Sequence, residues 1–93
     1  EQEEESGWFG SIGQEPSFEL RFQHALSLQA MAEVRYYRDD ANTAKKLYEQ
    51  ADKGLKALLS EQPNNFELLK AAGANAFWLG NIAFEAQLNC QDN

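Results

Sequence analysis

Ala44, Leu47, Tyr48, Ala51, Leu55, Leu58 and Leu59 recur three and four residues apart between Asp40 and Pro63. That is the period of an α-helix, whose side chains return to one face every 3.6 residues, and it constrains the fold more than any other feature of the chain. The opposite face carries Lys45, Glu49 and Lys53, with Asp52 and Lys56 one turn apart. Such i,i+4 pairs contribute about 0.2–0.5 kcal/mol each and mark a solvated surface. A helix this one-sided is stable when its apolar stripe is buried against other helices. The spacing therefore predicts a helix over 41–61 within an all-α fold, N-capped by Asp40, whose charge complements the helix dipole. Gly54, which costs about 1 kcal/mol against Ala in a helix interior, marks close packing by a neighbour.

A helix is predicted on either side. Ser17 is an N-cap for a helix over 18–37, on which Leu20, His24, Leu28, Met31 and Arg35 form a stripe with the small Ala25 and Ala32 beside it. Arg38, Asp39 and Asp40 interrupt that pattern. Gln62, Pro63, Asn64 and Asn65 form the next turn, and Asn64 with Glu67 has the form of a capping box. A helix over 66–87 follows. Leu68, Leu69, Ala72, Ala76, Leu79, Gly80 and Ala83 lie on one of its stripes, and Phe77, Phe84 and Leu88 on another. Two apolar faces imply two neighbours. Residues 89–93 have turn composition. Residues 1–16 are acidic, then Gly- and Ser-rich, and are expected to form a flexible arm whose Trp8 and Phe9 fold back as a hydrophobic anchor onto an exposed helix.

Composition narrows the function classes. A chain of 93 residues holds one domain. Its net charge is −7, with Glu1, Glu3, Glu4 and Glu5 contributing before any patterned segment begins, and its eight Lys and Arg residues are interleaved with acids. Nucleic acids and anionic lipid surfaces need clustered cations, so neither is an expected partner. No apolar run approaches the roughly 20 residues that span a bilayer, so no membrane insertion is expected. The chain opens on Glu1 rather than Met, with an acidic start unlike a signal peptide. It is expected to be a segment of a longer protein, with the cytoplasm slightly favoured over the periplasm. Cys90 is the only cysteine and His24 the only histidine. An internal disulfide and a Cys-rich zinc site are excluded, and the convergent groups needed for acid–base or nucleophilic work are missing. No H-E-x-x-H or phosphate-cradling glycine loop is present. The chain is expected to be non-catalytic, with no metal or nucleotide cofactor, and His24 to be a structural residue within its helix stripe.

Antiparallel helices joined by short polar turns make either a closed bundle or part of a helical hairpin array. Leu28-x2-Met31-Ala32-x2-Arg35 recurs as Ala76-x2-Leu79-Gly80-x2-Ala83, with Ala44-x3-Tyr48 and Ala51 between the copies and Pro63 closing the unit. This resembles the tetratricopeptide pattern W-x2-L-G-x2-Y, A-x3-F and a terminal Pro. The copies lie 48 positions apart, against about 34 in the standard unit. The excess, about seven residues on each side of Pro63, is close to two turns added to each of two facing helices. The chain therefore resembles the long-helix tetratricopeptide-like arrays of multidomain bacterial proteins, including those appended to receptor-like serine/threonine kinases. Arg35 and Ala83 depart from the pattern by replacing its usual aromatic.

The resemblance covers roughly residues 18–88 and implies antiparallel hairpins of a right-handed superhelix, about one and a half repeats in three helices. It also implies a protein-interaction scaffold in which the first helix of each unit binds a protein or peptide. The partner surface implied here comprises Gln29, Glu33, Tyr36 and Tyr37 with Phe77, Asn81, Phe84 and Glu85. The carboxylate clamp of the family's chaperone-binding members is not matched: Gln29, Ala30 and Glu33, then Phe77 and Trp78, stand at its positions and only Asn81 fits. Alternatively Phe77 and Phe84 pack on a further helix, and the segment is a structural spacer or a homo-oligomerisation element. An uncovered apolar face predicts a homodimer, since burying each large side chain gains about 1.5–3 kcal/mol.

Overall fold

The computed structural model describes residues 16–92, and all of their regular structure is helical. Helix α1 spans Phe18–Tyr37, α2 spans Ala41–Glu61 and α3 spans Phe66–Asp92. The arm expected over 1–16, with its Trp8 and Phe9 anchor, lies outside the described residues apart from Pro16. The turn expected over 89–93 is helix as far as Asp92. No Gly or Pro interrupts that stretch, and Asn, Cys, Gln and Asp each cost a helix only tenths of a kcal/mol.

The helix ends follow from local hydrogen bonding. Ser17 Oγ accepts the Leu20 N–H at 3.1 Å, and Asp40 Oδ1 accepts the Thr43 N–H at 3.2 Å. At the third helix the cap is Asn65, not Asn64. The Asn65 N–H donates to the Gln62 carbonyl at 3.2 Å and its Nδ2 donates to Gln62 Oε1 at 2.8 Å, which leaves its Oδ1 to accept the Leu68 N–H at 3.2 Å. Between α1 and α2 the chain reverses within three residues. Asp40 N–H bonds the Arg35 carbonyl at 2.9 Å and Asp39 N–H bonds that of Tyr36 at 3.2 Å, the paired closure of a Schellman C-cap. Asp39 takes the left-handed position at φ 63°, which short polar side chains tolerate better than others. Asp40 thus closes one helix and caps the next.

The three helices run antiparallel in sequence order, with α2 packed against both others. Its buried residues, Ala44, Tyr48, Ala51, Leu55 and Leu58, are those of the sequence stripe, while Leu47 and Leu59 are half-buried. The core has two parts. One is built from Ala25, Leu55, Leu58, Leu68 and Ala71, the other from Ala32, Ala44, Tyr48 and Ile82. A Cβ built on Gly54 would lie 3.7 Å from that of Ala25, an ordinary contact in which the small pair lets α1 approach α2 closely. At the open end of the hairpin the Arg21 guanidinium grips Glu61 through two bonds of 2.7 and 3.0 Å.

Two expected stripes are turned about their helix axes. On α1 the core face is Ala25, Leu28 and Ala32, flanked by Phe22 and Tyr36, whereas Leu20, His24, Met31 and Arg35 are exposed. The alanines sit at the centre because α2 comes closest there. On α3 the buried residues are Leu68, Ala71, Asn75 and Ile82; Leu69, Ala76, Gly80 and Ala83 are exposed, with no described helix over them.

Candidate functional site

Long side chains bridge α1 and α3. Gln29 Nε2 donates to the Ala71 carbonyl at 2.9 Å and to Asn75 Oδ1 at 3.0 Å, and Asn75 Nδ2 donates to the Tyr48 carbonyl at 2.7 Å. Asn75 is fully buried. One amide therefore ties all three helices together, and its donor and acceptor are both satisfied, as a buried polar group requires. A second bridge lies nearer the chain reversal: the Tyr36 hydroxyl donates to Glu85 Oε2 at 2.8 Å. That hydrogen bond, and then partial desolvation, raise the Tyr36 hydroxyl above its ordinary pKa.

Trp78 of α3 is the hub of the seam. Its ring lies 5.3 Å from Tyr36, 6.3 Å from Tyr37, 6.4 Å from Tyr48 and 5.4 Å from Phe77, and it stacks nearly parallel to Tyr48. Edge and tilted arrangements of this kind suit the ring quadrupoles and contribute about 0.5–1.5 kcal/mol a pair beyond area burial. Burial beneath this cluster pushes the Tyr48 hydroxyl up to about 12. Beside the hub, Leu26, Gln29, Ala30, Glu33, Tyr48, Ala74 and Trp78 line a shallow hollow of about 260 Å³. Tyr36, Tyr37, Asp39, Ala41 and Glu85 line another of about 390 Å³.

The eight candidate residues thus fall into two groups. Glu33, Tyr36, Tyr37 and Glu85 line the seam with Gln29, whose amide is already engaged in bridging the helices. Half-buried Asn81 lies on the seam-facing side of α3. Phe77 and Phe84, seven residues apart, share an outward stripe of α3, further from α1 than Asn81 and Glu85. Phe77 reaches the seam through Trp78; Phe84 makes no ring contact among the described residues. Tyr37, Phe77 and Phe84 are 66%, 61% and 62% exposed. Neither Trp78 nor Asn75 stands out in the sequence as a site residue. Their signal was phase: Ala71, Asn75, Trp78 and Ile82 follow the 4-3-4 spacing of a helix face, with an amide where the eye expects a hydrocarbon.

His24 is exposed on the other flank of α1, and no group of three His, Cys, Asp or Glu side chains stands ready to hold a metal among the described residues. None of the described helices is long and apolar enough to cross a membrane. Compared with protein-family models, curated proteins and solved structures, the chain shows no match.

Proposed function

We propose that the chain is a non-catalytic docking module of tetratricopeptide type, holding an extended peptide or a partner helix along the α1–α3 seam. The arrangement of the helices supports this reading: α1 and α3 lie side by side with α2 behind them, as the first helices of successive hairpins do. The observation that carries it is the accessibility of Tyr37 and Phe77 on either side of a Trp78 held in place by Tyr36 and Tyr48. Aromatic side chains that are exposed yet anchored at their base lose little freedom on binding and are enriched at interface centres.

The test is to select peptides against the full chain from a displayed random library and measure their affinity for Tyr37→Ala and Phe77→Ala. Each substitution is expected to weaken binding about tenfold or more, the scale of an interface anchor, with the unfolding midpoint little changed. Affinities indifferent to both would overturn the reading. The second reading, homo-oligomerisation, rests on Leu69, Phe77, Phe84 and Leu88, all exposed on α3. Light scattering that finds a dimer, together with loss of that dimer in Phe84→Ala, would favour it instead.

A further inference from the structure

The flank of α1 away from the seam carries an apolar row that the fold leaves open. Leu20, Met31 and Val34 are each about half exposed, and only Leu28 of the expected stripe is buried. They border two consecutive hollows between α1 and α2. The first, about 590 Å³, is lined by Pro16, Leu20, His24, Leu28, Gly54 and Ala57 among others. The second, about 340 Å³, is lined by Met31, Val34, Arg35, Arg38 and Leu47. Gly54 and Ala57 form a low floor that admits a bulky occupant. A row that follows helical spacing this faithfully, beside a groove of ligand-pocket size, is built to be covered.

We propose that the occupant is the chain's own residues 1–15, which run back along α1 and seat Ile12, Phe9 and Trp8 in this groove, with Glu3, Glu4 and Glu5 beside Arg35 and Arg38. The inference concerns the flank opposite the docking seam and stands without that reading. Four observations carry it. Pro16, the first described residue, lines the first hollow, so the described chain begins at the groove itself. The reach fits: extended chain advances about 3.3 Å per residue, against 1.5 Å per residue along a helix. Four residues back from Pro16, Ile12 comes level with about the second turn of α1. Phe9 and Trp8 reach the neighbourhood of Met31, and the acidic run arrives at the far end. The order of chemistry also fits, because apolar residues of the arm precede its charges as the groove's apolar lining gives way to Arg35 and Arg38. Neither arginine makes a salt bridge within 4.0 Å among the described residues, although the Arg35 charge helps hold Asp40 ionised. Finally, a tethered segment acts at an effective concentration of about millimolar, which favours it over a second copy at micromolar concentration.

Met31 is the only methionine in the chain, so its ε-methyl is a single reporter at the middle of the row. In the full chain that methyl resonance is expected to be displaced by ring currents, and to show cross-peaks to the Trp8 indole. Both should be unchanged on dilution. The double variant Trp8→Ala, Phe9→Ala should return the methyl to its unperturbed position while far-ultraviolet circular dichroism stays helical. Glu3→Lys, Glu4→Lys and Glu5→Lys together should reduce the displacement. A methyl indifferent to the double variant, with no indole cross-peak, overturns the proposal. A displacement that fades on dilution overturns it as well, by showing that a second copy fills the groove.

Discussion

Leu28 and Ala32 of α1 are buried against α2, whereas Ala76 and Gly80, the corresponding residues 48 positions on, are exposed on α3. Both pairs lie in the same spacing of small and apolar residues. The difference is that α2 folds back over the first pair, while no described helix lies over the second. A Cβ added at Gly80 would meet nothing within 4 Å. The motif therefore encodes a surface that a neighbour can approach closely, and whether it is buried depends on the next element. α3 is held instead by its adjacent face, where Leu68, Ala71 and Ile82 meet α2 and Asn75 ties in both other helices. The hairpin of α1 and α2 rests on apolar packing in both parts of the core, and α3 on less packing and two polar bridges.

The largest test of that contrast is Asn75→Ala. It removes the bond to the Tyr48 carbonyl and one acceptor of Gln29, and it opens a small cavity, for an expected loss of about 2–3 kcal/mol. Urea unfolding in a Trp8→Phe background measures it, so that Trp78 alone reports by fluorescence on α3. A loss below about 1 kcal/mol would mean that the Asn75 knot adds little to the apolar contacts and to the Gln29–Ala71 and Tyr36–Glu85 bonds that also hold α3.

Next come two changes at corresponding positions that should differ in sign. Ala32→Leu forces three more carbons between α1 and α2 and should cost about 1–3 kcal/mol. Gly80→Ala, in open space within a helix, should gain up to about 1 kcal/mol from helix propensity. Thermal unfolding of the two variants side by side decides the matter. If Gly80→Ala destabilises instead, the second copy of the motif is covered in solution, and the contrast between the two helices disappears.

Those positions also show what was legible in the sequence. The three helices, the Ser17 and Asp40 caps and the buried face of α2 follow from spacing and capping chemistry, because α2 has one strongly apolar face and one charged one. α1 and α3 have apolar residues over most of their circumference, so the period is clear and the phase is not. On α1 the larger residues, Leu20 and Met31, make the more apolar stripe, whereas Ala25 and Ala32 lie where close approach makes small size the useful property. On α3 a buried amide interrupted the hydrophobic pattern at the centre of the core face. Asn65 rather than Asn64 became the cap through hydrogen bonds to Gln62 that depend on the turn's geometry. For the same reason the candidate residues come together only in part. Tyr36 and Glu85 meet as their helices' alignment requires, but the hub, Trp78, owes its position to that phase.

The smallest expected effect is electrostatic and separates the same two regions by pH. Hydrogen bonds from Thr43 hold the Asp40 carboxyl below its ordinary pKa, and the Arg21 guanidinium does the same for Glu61. Both carboxylates serve the hairpin: Asp40 caps α2 at the reversal, and Glu61 joins the end of α2 to the start of α1. The ion pair of α3, Lys70 with Glu67 at 3.8 Å, lies within one turn and joins it to nothing. A carboxyl with a folded pKa below its unfolded value binds its proton more readily in the unfolded chain. It contributes stability above the ordinary carboxylate range near pH 4, and that contribution is lost as pH falls through the lowered folded value. Acidification should therefore loosen the α1–α2 hairpin, and Glu61→Gln should flatten the acid limb of the stability–pH profile. Because Arg21 and Glu61 are partly exposed, salt should shrink the difference between variant and parent. Urea midpoints measured across the acid range, at low and high salt, check this. An acid limb unchanged by Glu61→Gln would leave Asp40, at the other end of the hairpin, as the carboxylate through which acid acts.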